Sequence, residues 1–114
     1  MKPYIENRPW GNFVRFTDSS SGTVKIITVK AGEALSLQYH KKRDEFWHII
    51  SGEGTITIGT NKFWVNAGAE YTIPKNTLHR VEAGKQNVVF LEIATGSFSE
   101  DDVVRTEDKY GRIK

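Results

Sequence analysis

Through the middle of the chain, apolar residues recur in short runs with a period close to two. Residues 24–29 (VKIITV) are rich in β-branched side chains, 34–40 alternate small and large, and 45–50 (EFWHII) are aromatic and β-branched. Residues 55–58, 62–65, 70–73, 79–82 and 87–94 continue the pattern. A period of two is that of a strand with one buried face. Breakers separate the runs: Ala31-Gly32, Gly52 to Gly54, Gly59 to Asn61, Ala67-Gly68, Pro74 to Asn76 and Ala83-Gly84. Short strands about ten residues apart with glycine turns between them predict an all-β sandwich or barrel. No stretch of that region keeps a helical period over three turns. One short helix is expected, Ser99 to Val104, with Ser99 as its cap and Glu100, Asp101 and Asp102 in the first turn. The polar ends carry aromatic and arginine residues and are expected to pack on the barrel.

Composition narrows the class. The 114 residues read as one domain, 1–114, large enough for a single core without staples. Apolar residues make up 38% and charged residues 26%, a soluble globular mixture. The net charge of +2 lacks the basic excess of a nucleic-acid binder, so no nucleic-acid partner is expected. With no cysteine, disulfides, thiol catalysis, iron–sulfur clusters and Cys-based zinc fingers are excluded. No apolar run reaches transmembrane length, and Met1 to Trp10, polar with two prolines, does not read as a signal peptide. A cytoplasmic protein without membrane contact is the expectation.

Of three histidines, two stand where a metal site would use them. Gln38 and His40 lie two apart on an expected strand and so on one face. Glu45 opens the next run; if Trp47 and Ile49 point inward, it does too, while Phe46 and His48 face out. His79 begins a further strand after the Pro74 turn. Gln38, His40, Glu45 and His79 would bring one amide oxygen, one carboxylate and two imidazoles together. Such a mixed N/O set suits a divalent first-row metal and leaves positions open. The plainer alternative is that His40 and His79 are half-buried strand residues bonded to carbonyls. Lys41-Lys42-Arg43 is either a solvated turn or, beside a metal, a phosphate grip.

These residues also form a recognisable pattern. Gly32, Gln38, His40, Glu45 and Gly52 resemble the first motif of the cupin superfamily, with Gln38 replacing its first histidine. Gly68, Pro74, Asn76 and His79 resemble the second, with Asn76 where glycine is common. Arg8-Pro9-Trp10-Gly11, Leu35 to His40 with Arg43, Glu45 and Trp47, Ile73-Pro74, His79 to Glu82, Glu92, Gly96, and Glu100 to Arg105 with Asp108 and Tyr110-Gly111-Arg112 resemble the type II phosphomannose isomerases. These occur as the C-terminal domain of bifunctional mannose-1-phosphate guanylyltransferases and as free-standing proteins. The chain departs from them at Lys41-Lys42 and Phe46, where many members carry further histidines.

The resemblance implies a single cupin jelly-roll barrel with at most one short C-terminal helix. It also implies one divalent metal ion, zinc first among zinc, manganese, cobalt, nickel and iron, and a homodimer. The reaction implied is interconversion of mannose 6-phosphate and fructose 6-phosphate. That reaction needs a base beside a carbonyl, positive charge for the developing oxyanions and a cationic pocket for the phosphate. Glu92 is the first candidate base, its alternative role being to orient a ligand histidine, and Lys42 is a further candidate. Arg8, Arg43, Lys75 and Arg80 are candidates for the phosphate, although Arg80 neighbours His79 and should face away from it. Trp47 is expected in the core, and Trp10 and Trp64 are open between core and sugar pocket. A non-catalytic sugar-phosphate or sugar-nucleotide binder is the first rival reading. A cupin oxygenase is weakened by Gln38.

Overall fold

The computed structural model describes residues 3–19, 22–96 and 101–112. Its strands are β1 (Tyr4–Arg8), β2 (Gly11–Ser19), β3 (Gly22–Val29), β4 (Leu37–Tyr39), β5 (Arg43–Ser51), β6 (Gly54–Ile58), β7 (Asn61–Val65), β8 (Glu70–Ile73), β9 (His79–Ala83), β10 (Val88–Gly96) and β11 (Val104–Glu107). They form two antiparallel sheets, ordered β1-β2-β3-β10-β5-β8 and β11-β4-β9-β6-β7. The all-β expectation holds, and no helix occurs among the described residues. Of the expected helix, Ser99 and Glu100 lie outside those residues. Asp101 is in a turn, and Val104 instead opens β11.

Two strands at the start of the chain were not apparent from its pattern. β1 is an edge strand with Tyr4 and Ile5 exposed, so burial leaves no alternation to read. It is fixed by pairing with β2, Tyr4 opposite Arg15 and Arg8 opposite Gly11. The tight link between them explains the Trp10-Gly11 pair. A Cβ on Gly11 would lie 1.8 Å from the Thr28 carbonyl oxygen, so only glycine lets β2 meet β3 here. The Trp10 carbonyl accepts the Lys30 N–H at 2.8 Å.

Register turns the sequence into layers inside the barrel. β3, β5 and β10 each bury alternate residues. Pairing sets Val88 opposite Val29, then Phe90 opposite Ile27 and Ile49, then Glu92 opposite Lys25 and Trp47, then Ala94 opposite Thr23 and Glu45. The first two layers are apolar. They join Ile56, Val65 and Val81 of the facing sheet in the core. Each large side chain there contributes about 1.5–3 kcal/mol by leaving water. The next two layers carry Lys25, Glu45 and Glu92, all buried. The same strands thus supply both a hydrophobic floor and a polar interior, and the polar interior needs a chemical reason.

Candidate metal centre

Three strands deliver the ligand donors. His40 follows β4, Glu45 lies on β5 of the opposite sheet, and His79 opens β9, where it sits next to β4 through the Gln38–His79 pair. Glu45 is inward because it shares the parity of Trp47 and Ile49. His48 has the opposite parity and bonds Glu70 on the outside at 2.6 Å. The turn before β9 docks on the site: Asn76 takes a left-handed conformation (φ 62°) and its N–H donates to the His40 carbonyl at 2.7 Å. That explains a residue other than glycine at this point, since asparagine tolerates the conformation better than most.

His40, Glu45 and His79 place their donor atoms within 4.8 Å of one another, and all three are buried. His40 Nε2 is 3.1 Å from Glu45 Oε2, and His79 Nε2 is 3.6 Å from Glu45 Oε1. The other ring nitrogens donate to backbone carbonyls, His40 Nδ1 to Asp102 at 2.5 Å and His79 Nδ1 to Thr77 at 2.9 Å. A carbonyl can only accept, so both Nδ1 atoms carry protons and both Nε2 lone pairs face the carboxylate. His79 Nε2 is buried with no hydrogen-bond partner. Two imidazole lone pairs and a carboxylate, oriented by carbonyls behind them, are the donor set that a divalent cation takes. The residues fit one.

Gln38 stands beside this set with a different face from the one expected. Its Nε2 is 3.4 Å from His40 Nε2, and its Oε1 accepts from Ser36 Oγ at 2.5 Å. Its oxygen would reach a cation only with the amide turned over, which would exchange these two partners. Arg43 shares the parity of Glu45 and is buried with it. Its Nε donates to Glu45 Oε2 at 3.0 Å, and its Nη2 lies 3.1 Å from His40 Nε2.

Two buried carboxyls in this space behave oppositely. Burial alone would raise Glu45. The contacts with His40 and His79 and the Arg43 guanidinium, whose Nε donates to Oε2, outweigh it and hold Glu45 ionised, far below the ordinary carboxylate range. Burial raises Glu92 to about 8, helped by the Glu45 charge and opposed by Lys25 and Arg43. Burial also lowers His79 below the usual imidazole range, keeping it neutral.

The cavity over these groups has a volume of about 620 Å³ including its mouth. Its wall includes Gln38, His40, His79 and Glu92, the apolar faces of Trp10, Phe13 and Trp47, and five cationic side chains: Arg8, Lys25, Arg43, Arg105 and Arg112. Of the expected phosphate residues, Arg8 and Arg43 line the cavity, Arg43 with its guanidinium against Glu45 and His40. Lys75 is exposed, its backbone N–H on Asp44, and Arg80 turns outward to the Leu35 carbonyl and Glu107. Lys42 is exposed and outside the cavity wall. The chain direction at the turn sends its side chain to solvent, which removes it as a candidate base. Trp47 is in the core as expected, Trp10 walls the cavity, and Trp64 is 63% exposed.

Three cations escaped the sequence reading. Lys25 had a usable signal, since it shares parity with Ile27 and Val29 and should have pointed inward with them. Arg105 and Arg112 had none in the hydrophobic pattern, because β11 is short with no buried residue and Arg112 lies beyond it.

A family model described as mannose-6-phosphate isomerase C-terminal matches residues 4–108. The chain belongs to this family. Among curated relatives, the mannose-1-phosphate guanylyltransferase ManC of Salmonella typhimurium is 39% identical over 108 residues, 93% of this chain and 22% of that protein. The alginate biosynthesis protein AlgA of Pseudomonas putida is 39% identical over 107 residues, 92% of this chain and 22% of that protein. The chain of this isomerase-family domain thus spans 22% of the length of either relative. Among solved structures, the capsular polysaccharide assembling protein CapF from Staphylococcus aureus superposes with a TM-score of 0.81 at 19% identity, covering 95% of this chain and 33% of that one. A cupin protein from Bacteroides fragilis gives 0.63 at 28% identity, covering 71% and 70%. The family's jelly roll is a cupin fold.

Proposed function

We propose that this protein is a divalent-metal-dependent isomerase that interconverts mannose 6-phosphate and fructose 6-phosphate. One observation carries the reading. A buried carboxyl, Glu92, lines the same cavity as the two histidines of the His–Glu–His donor set and five cationic side chains. A dianionic sugar phosphate fits that charge, and an aldose–ketose shift needs that carboxyl.

His40, Glu45 and His79 would hold the metal. Once bound, it would polarise the sugar oxygens and offset the charge that builds on them. Glu92 takes the proton from the carbon beside the carbonyl and returns it to the neighbouring carbon. Net, one hydrogen passes from C2 to C1 and one from O2 to O1. A carboxyl titrating near neutrality is matched to both directions of that transfer. Trp47 holds Glu92 in place through its indole N–H, 3.4 Å from Oε1. Arg8 and Arg105 bind the phosphate, while Arg112, whose Nε and Nη2 donate to Asp108 at 2.8 and 3.0 Å, adds its charge to the wall. Arg43 keeps His40 and Glu45 in register from the side.

The test is a coupled assay of mannose 6-phosphate conversion, with the protein stripped of metal and resupplied with zinc, manganese, cobalt or nickel. Turnover restored by an ion supports the reading. Bound metal without turnover, in a folded protein, would leave a sugar-phosphate-binding cupin.

A further inference from the structure

A segment sixty-two residues downstream of His40 backs the ligand set. Asp102 meets the turn after β4 at three points. Its backbone carbonyl accepts from His40 Nδ1 at 2.5 Å, its Oδ1 accepts the Lys41 N–H at 3.0 Å, and its Oδ2 accepts the Lys42 N–H at 3.0 Å. A carboxylate with one oxygen on each of two successive amides fixes both its own backbone and the turn it grips. The carbonyl it carries is thereby aimed at the imidazole. We propose that Asp102 is a positioning residue of the metal centre: it holds His40 as the Nδ1–H form with Nε2 turned to Glu45.

The proposal rests on His40 being a ligand, and it explains two things besides. The grip is on main-chain amides, so the side chains of Lys41 and Lys42 are left exposed. Histidine or lysine at these positions is then immaterial to the metal. The same anchor leads into β11, which brings Arg105 opposite Gln38 and into the cavity wall. One residue thus aligns the ligand side and the cationic side of the pocket.

The test uses the full chain and zinc or cobalt titration by calorimetry, with nitrogen NMR of the imidazoles as a second readout. Asp102→Ala should bind metal about 10–100-fold more weakly, the usual cost of losing an outer partner of a ligand histidine. It should also move His40 from one tautomer to a mixture, with an unchanged far-UV circular dichroism spectrum. Asp102→Asn keeps one acceptor and should lose less. Lys41→His and Lys42→His should keep wild-type affinity. Wild-type affinity together with a wild-type His40 tautomer in Asp102→Ala would overturn the proposal. If that variant does not fold, the tautomer of Asp102→Asn decides instead, and an unchanged one overturns it. If the wild-type chain takes no metal, the isomerase reading fails, while the tautomer comparison still decides the role of Asp102.

Discussion

The indole N–H of Trp47 reaches the carboxyl of Glu92, 3.4 Å from Nε1 to Oε1, from the position directly opposite it on the neighbouring strand. The same N–H lies 3.1 Å from Glu45 Oε1. One donor therefore stands between two buried carboxyls, and their difference in protonation follows from the groups around each. Glu45 is hydrogen-bonded to Arg43 with the two imidazoles beside it, whereas at Glu92 burial and the Glu45 charge outweigh Lys25 and Arg43.

Glu92→Gln should keep the metal and lower kcat about 10²–10⁴-fold, the range for loss of a proton-transfer group. It should also stabilise the metal-free protein. Glu92 titrates near 8 when folded and near 4.5 otherwise. Below pH 4.5 both states are protonated and the variant gains nothing. As pH rises toward 8, the unfolded wild type ionises first and its folded form loses stability. At pH 7 the variant should be more stable by about 3 kcal/mol. Urea unfolding across that pH range checks the sign; equal curves at pH 7 would place Glu92 in a solvated setting.

Lys25→Met should move the acidic limb of the kcat profile to higher pH. The ammonium favours ionised Glu92, so its removal raises the pH at which the base form appears. An unmoved limb with a raised KM would make Lys25 a substrate contact instead.

Arg8→Ala and Arg105→Ala should each raise KM for the sugar phosphate about tenfold with a smaller effect on kcat. Arg80→Ala and Lys75→Ala should leave KM unchanged, because both side chains lie outside the cavity wall. Steady-state kinetics on the four variants separates these positions.

Gly52→Ala should destabilise the protein by about 2 kcal/mol or more. Gly52 has φ +88°, and a Cβ there would sit 1.9 Å from the Asn87 carbonyl oxygen, so the link between β5 and β6 or the segment before β10 must move to admit it. Denaturant midpoints measure this directly.

Most of the sheet was legible in the sequence because one face of each strand is buried. β5 and β10 alternate without a break from Arg43 to Ile49 and from Val88 to Ala94, and that parity alone turns Glu45 and Glu92 inward. β1, β2 and β11 were not legible; β1 and β11 are edge strands with exposed residues, fixed by pairing rather than by burial. The ligand triad followed from strand parity together with the cupin pattern. The orientation of the Gln38 amide did not, since it depends on Ser36, a neighbour whose hydroxyl carries no signal in the hydrophobic pattern. The acidic run ending at Asp102 suited a helix start locally. Tertiary contacts with residues 40–42 use its carboxylate differently.

The buried indole beside the ligands has an optical consequence. Trp47 is 1% exposed and its ring centroid lies 5.4 Å from that of His79, whereas Trp64 is 63% exposed. Emission from Trp47 belongs at the blue side of the protein's fluorescence and that from Trp64 at the red side. Cobalt entering the His–Glu–His set would quench the blue component and spare the red. The molecule therefore carries its own label for metal loading, together with an internal reference.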